Sequence, residues 1–197
     1  LERRWVAEFF KTWSAEVLAG PPMIAPARQF VYPQNIVGEE DALARGALVL
    51  MVKAFPGKTG GGGSFLATCA LGFKDPSMPT GVFGCPRAEE MCAVAGGYAY
   101  LIDTSAPERV TLLAMKPVVE VLPAVEAGLL LFVGFQTVVA WGVDGMGWET
   151  RKLSWEGVRV TAVEGVELKG FGWDMRTDKE VEFVVDLRTG VVVGGAF

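Results

Sequence analysis

No histidine occurs in the 197 residues, which removes the Ser-His-Asp and Cys-His nucleophile systems in their usual form and the commonest metal ligand. Cysteine is nearly as scarce. Cys69, Cys85 and Cys92 are an odd number, too few for a four-thiolate zinc site and not needed as staples in a chain of this size. They read as small buried apolar residues, with a Cys85 to Cys92 disulfide as the alternative. A run of basic residues is also missing. With 18 Lys and Arg against 23 Asp and Glu, a net charge of −5 and a pI near 4.9, the chain has no field to draw in a phosphate backbone or an anionic bilayer. Nucleic acid is therefore excluded as an expected partner. No apolar stretch reaches the roughly 20 residues that a membrane-spanning helix needs. The longest, Gly128 to Val143, is broken by Gly134, Gln136 and Gly142 and reads as two buried strands. A secretory leader pattern is absent too, because Glu2, Arg3, Arg4, Glu8 and Lys11 interrupt the first apolar positions, and this favours a cytoplasmic location.

What is present is ordinary globular material, 51% apolar and 21% charged, expected to form a single domain over 1–197. A mean hydropathy of +0.34 points to surface buried in a partner or a second copy, so a homo-oligomer is a possible state. Residues 1–20 place Trp5, Phe9, Phe10, Trp13 and Val17 at helical spacing before Gly20-Pro21-Pro22. This predicts an N-terminal amphipathic α-helix that covers a sheet or docks on a partner. Residues 21–79 form a proline-rich segment followed by a β-hairpin. Arg28 to Tyr32 reads as an edge strand, and Gly46 to Phe55 pairs with Ser64 to Phe73 across a glycine-rich loop. That loop contains Gly57-Lys58-Thr59. The phosphate-loop motif requires a glycine where Val52 stands and a helix after it, so a loop tip is the reading adopted.

From residue 80 to 197 the chain repeats. Three strands end in an aspartate followed by a turn: Tyr100-Leu101-Ile102-Asp103, Ala140-Trp141-Gly142-Val143-Asp144 and Phe183-Val184-Val185-Asp186. The aspartates lie 41 and 42 residues apart, the period of one four-stranded sheet in propeller-type proteins. Each of the three units offers four short strands. A carboxylate placed after the third strand can accept hydrogen bonds from backbone N–H groups two or three residues on, so Asp103, Asp144 and Asp186 are read as turn formers. Val184-Val185-Asp186-Leu187-Arg188-Thr189-Gly190 resembles the aspartate-x-x-threonine-glycine turn of quinoprotein-type propeller repeats. Ala99-Tyr100-Leu101-Ile102-Asp103-Thr104-Ser105-Ala106-Pro107-Glu108 is similar to the strand-aspartate-turn-proline pattern of other bacterial β-propeller repeats. The resemblance implies an architecture and no cofactor. The expected fold is mainly β: repeated four-stranded antiparallel sheets in a small or incomplete propeller, with a β-sandwich as the alternative. Arg28 to Tyr32 and the first hairpin would supply a fourth sheet.

Function is less legible than fold. Gly170 to Glu180, between the second and third strands of the last unit, exceeds the corresponding connections at Gly96-Gly97 and Gln136, and long loops are where binding residues gather. Trp173, Asp174, Arg176, Asp178 and Glu180 are the candidate binding residues, with Arg176 paired to Asp174 or Asp178 in the plainer reading. Trp141, Trp148, Trp155 and Trp173 form a second candidate, an aromatic platform for a sugar ring or a protein, against simple core packing. The function expected is a noncatalytic module that binds a protein or a small ligand. The alternative is a carboxylate-dependent hydrolase of a glycan or another small substrate, using Asp174, Asp178 or Glu180. No catalytic residue, metal or cofactor is assigned.

Overall fold

Short β-strands organise the described chain from Trp13 onward. The computed structural model of the protein describes residues 8–33, 42–56 and 63–197, and these fall into two compact units, Phe10–Pro117 and Val118–Phe197 with Glu8 and Phe9. In the first unit, β1 (Trp13–Leu18), β2 (Gln29–Tyr32), β3 (Ala47–Ala54) and β4 (Gly63–Ala70) form one sheet in the order β1-β3-β4-β2. All its pairs are antiparallel except β2 on β4, which is parallel. A second sheet runs in chain order: β5 (Gly81–Gly84), β6 (Glu90–Ala95), β7 (Tyr98–Asp103) and β8 (Val110–Leu112). The two sheets enclose a core of Trp13, Tyr32, Leu50, Phe65, Met91, Tyr100 and Ile102, among others.

The unit 118–197 repeats that plan with two chain-order meanders. One holds β9 (Glu120–Ala124), β10 (Leu129–Val133), β11 (Val138–Gly142) and β12 (Gly145–Glu149); the other holds β13 (Val158–Glu164), β14 (Glu167–Asp174), β15 (Lys179–Asp186) and β16 (Val192–Gly194). Leu131, Val133, Val138, Ala140, Leu168, Phe183 and Val185 fill the space between them, residues two apart on a strand sharing a face. Four-stranded antiparallel meanders of this kind have the form of propeller blades. Asp103 and Asp186 close the third strands of their sheets, and Asp144 lies in the two-residue turn just after β11, as the repeat predicts. The first unit's turn between β6 and β7 shows why glycine is needed. Gly96 and Gly97 have φ of +55° and +80°, the left-handed pair that a two-residue hairpin requires.

The N-terminal α-helix expected over 1–20 is not formed among the described residues. Residues 1–7, including Trp5, lie outside them, Glu8 to Thr12 are irregular, and Trp13–Leu18 is β1. Its helical face would have put Phe10, Trp13 and Val17 together. Trp13 is 5% exposed, whereas Phe10 is 79% and Val17 58% exposed. The open edge of β3 decides the matter, since β1 pairs with it from Trp13↔Ala54 to Leu18↔Val49. Thr12 O extends the pairing by accepting from Phe55 N at 2.8 Å, while Thr12 N donates to Ala88 O at 3.0 Å, just before β6. Helical spacing is a weak prior that tertiary context overrides, and the sheet edge offers the same backbone groups partners. Arg28 to Tyr32 does join the first hairpin in a fourth sheet, with β1 added. The Gly57-Lys58-Thr59 loop lies outside the described residues. No helix among the described residues is long and apolar enough to cross a membrane.

Candidate functional site

β14 and β15 are the longest strands of their sheet, paired without a break from Glu167↔Asp186 to Asp174↔Lys179. The connection expected to be an extended loop over Gly170 to Glu180 is therefore mostly strand. The turn itself is Met175 to Asp178, no longer than the four-residue link Gly134 to Thr137 between β10 and β11. Gly170 and Gly172 permit close packing within β14. A Cβ on Gly172 would lie 2.0 Å from Leu153 O, and one on Gly170 would lie 2.4 Å from Arg159 O.

Asp174 holds the turn. Its Oδ1 accepts from Arg176 N at 3.1 Å and from Arg176 Nε at 3.3 Å, and its Oδ2 accepts from Thr177 Oγ1 at 3.0 Å. Burial works to raise its carboxyl pKa, but the Arg176 amide, the Thr177 hydroxyl and the Arg176 guanidinium outweigh that and hold it below the ordinary carboxylate value. Asp103 and Asp186 do the same work: Ser105 N donates to Asp103 Oδ1 at 3.0 Å, and Arg188 N donates to Asp186 Oδ1 at 2.9 Å. Asp174 thus belongs with the turn formers. Its signal, an acid followed two residues on by a backbone donor, was present in the sequence at Asp174-Met175-Arg176-Thr177.

The other candidate residues separate by face. In the β14–β15 register Trp173 opposes Glu180 and Asp174 opposes Lys179, so Asp174 and Glu180 are on opposite faces of the sheet. Trp173 is half-buried, with its backbone fixed at both ends: its N–H donates to Ser154 Oγ at 2.8 Å and its carbonyl accepts from Trp155 N at 2.9 Å. Glu180 is exposed and receives Arg159 twice, Nε at 3.1 Å and Nη2 at 2.7 Å. The Arg159 guanidinium lies 4.6 Å from the Phe171 ring centroid. Arg176 and Asp178 are exposed at the tip, Asp178 with φ of +56°, the left-handed region that Asp tolerates better than most residues. The structure therefore brings Trp173, Phe171, Arg159 and Glu180 together as a face with Arg176 and Asp178 at its end. Phe171 and Arg159 were not picked out from the sequence, because their cross-strand pairing is set by register.

This face suits noncovalent recognition: a broad aromatic surface edged by a bidentate ion pair and exposed charges. Asp174 and Glu180 cannot serve together as a glycosidic carboxylate pair. That chemistry needs two carboxylates facing one bond, one of them kept protonated, and Asp174 is held ionised on the far side of the sheet from Glu180. At the other end of the same hairpin, Val166, Val184, Val191 and Val193 line a shallow depression of about 370 Å³ beside the Asp186–Arg188 ion pair. Val191 and Val193 are exposed.

The four tryptophans do not form one platform. Trp141 is buried, and Trp148 bridges two sheets by donating its Nε1–H to Leu187 O at 2.9 Å. Trp155 packs at 4.6 Å on Phe197, leaving Trp173 on the outer face. All three cysteines are free and buried, and the Cys85 to Cys92 disulfide is not formed. Burial pushes all three thiols up. Among the described residues no group of three or more Cys, Asp or Glu could hold a metal ion.

The described residues thus form repeated four-stranded sheets of blade-like form, with Phe171, Trp173, Arg159 and Glu180 gathered on one face of the last hairpin. No protein family matches the chain. No curated protein matches it either. Among solved structures it is similar to the Neurospora crassa Pan2 WD40 domain, at 17% identity and a TM-score of 0.41, over 59% of this chain and 37% of that one. The match thus spans little more than a third of that domain's chain.

Proposed function

We propose that this chain is a noncatalytic interaction module, and that the β14–β15 hairpin is its contact surface. Trp173, Arg176, Asp178 and Glu180 make the contact and Asp174 shapes the turn beneath them. The reading rests on one observation: Asp174 is committed to a turn and Glu180 to an ion pair on opposite faces of the sheet, while Phe171 and Trp173 lie on one face of unbroken strands with the charged tip beside them. A protein surface or a small ligand with a planar face would meet Trp173 and Phe171, with Arg176 and Asp178 supplying directional hydrogen bonds. A photoreactive residue at exposed Met175 of the full chain tests this, with one at exposed Met146 as control. The expected result is a specific adduct from Met175 that is lost on Glu180→Arg or Trp173→Ala. Turnover of a glycoside panel that disappears on Asp178→Asn would replace this reading with the hydrolase.

A further inference from the structure

Residues 194–197 are gripped by the link between β12 and β13, which carries Arg151, Lys152, Leu153 and Trp155. Gly194 and Gly195 have φ of +79° and +86°, and these two left-handed residues turn the chain off β16. At Gly194 only glycine fits, since a Cβ would lie 2.3 Å from Glu182 O. The next two residues form a clip. Gly195 N donates to Glu182 O at 2.8 Å and Ala196 N to Leu153 O at 3.0 Å. Arg151 Nη1 donates to Phe197 O at 2.6 Å and its Nη2 to Gly194 O, while Arg176 Nη2 reaches Ala196 O at 3.5 Å. The Phe197 ring lies 4.6 Å from that of Trp155, with Lys152 Nζ 5.7 Å from the Phe197 centroid.

None of Gly194, Gly195, Ala196 and Phe197 has a polar side chain, so the grip is on the main chain, and only buried Ala196 and the ring on Trp155 read side chains. Main-chain hydrogen bonds with a seat for one anchor are the elements of a peptide site. The seat is fixed without the clip. Trp155 N donates to Trp173 O at 2.9 Å, Gln136 Nε2 to Trp155 O at 3.2 Å and Ser154 Oγ to Gly157 O at 2.8 Å. It is also incompletely satisfied. Phe197 stays 43% exposed, and Trp155 Nε1 is buried with no acceptor among the described residues. An unpaired buried donor keeps its desolvation cost, so a segment that brings a carbonyl to this atom gains what the all-carbon Phe197 ring does not give.

We propose that this seat is a peptide-binding site held closed in cis by Ala196-Phe197, and that it takes from a partner an aromatic residue preceded by a small one. The partner's ring replaces Phe197 on Trp155, and its carbonyls replace those of the clip on Arg151 and Arg176. A segment tethered this closely competes at an effective concentration on the order of millimolar. Partner affinity is therefore reduced by the fraction of chains that are open, and release of the clip restores it. The site shares only the Arg176 side chain with the hairpin face proposed above, so either reading can fail while the other stands.

The probe is a peptide of residues 192–197, acetylated and amidated, titrated into the full chain and followed by the Trp155 indole N–H resonance, which Trp155→Phe assigns. Phe197→Ala, and independently Ala196→Asp, release the clip, with the amide resonances of β13 to β15 confirming the fold of each variant. The expected result is that the peptide shifts the Trp155 resonance of both variants at a concentration roughly tenfold or more below that needed with the unaltered chain. Adding Arg151→Ala removes the gain, and the same peptide carrying Phe197→Ala leaves the resonance unmoved. Equal binding to the unaltered chain and the variants overturns the proposal. So does a folded variant that binds no peptide, or binding that leaves Trp155 unmoved.

Discussion

Asp103 carries more structure than any other turn residue of the repeat. It accepts from the Ser105 hydroxyl at 2.6 Å and meets Arg109 at 2.8 Å and Arg87 at 3.6 Å, beside the equally buried Glu90. Burial works to raise its carboxyl pKa, but Ser105, Arg109 and Arg87 overcome that and keep it below the ordinary value. A depressed carboxyl contributes stability that is complete above the unfolded-state pKa and is lost as pH falls through the folded one. Urea denaturation should therefore show stability declining in acid below the ordinary carboxylate range. Asp103→Asn should lower stability by about 2 kcal/mol near neutrality and flatten that decline. Gly190 is decided by a neighbour. It has φ of +72°, and a Cβ there would lie 2.7 Å from the Trp148 ring. Gly190→Ala should cost on the order of 1–3 kcal/mol, read as a lowered melting temperature. The aspartate turns were legible because their hydrogen bonds are local. The role of Trp148 was not, since its partner Leu187 is 39 residues away.

At the scale of elements, β1 and the last hairpin are where sequence and structure part. Aromatic spacing over 1–20 satisfies a helix and, from Trp13, a strand as well; the free edge of β3 selects the strand. Trp13 also donates its Nε1–H to Glu90 O at 3.1 Å, fastening β1 to the neighbouring sheet. Trp13→Ala should destabilise by about 3–5 kcal/mol, with hydrogen exchange accelerating along β3 first. The bridge from Arg159 on β13 to Glu180 on β15 passes over Phe171 and leaves both side chains half exposed. A double-mutant cycle should give a coupling of no more than about 1 kcal/mol that fades in salt. The twelve strands of the three repeat units were readable from alternation and turn residues. The hairpin's true length was not, because Trp173-Asp174 and Lys179-Glu180 join their strands through cross-strand pairing, which no local pattern fixes.

At the scale of the molecule, each unit has its own core, and the thiols lie in the first. Cys69, Cys85 and Cys92 should resist alkylation in the native chain and react together in denaturant, measured by mass spectrometry of the intact protein. The sequence by itself determined the β class, the repeat of four-stranded meanders, the aspartate turns and the burial of the cysteines. Each of these follows from short-range rules: side chains alternating across a pleat, carboxylates reaching amides two residues on, small apolar residues leaving water. Only the tertiary structure decided that the N-terminal segment completes a sheet, that Asp174 supports a turn, and that Phe171 and Arg159 join Trp173 and Glu180. Those outcomes depend on which backbone edge is left open and which residues register brings opposite one another. Both are properties of strands far apart in the chain, and no local pattern encodes them.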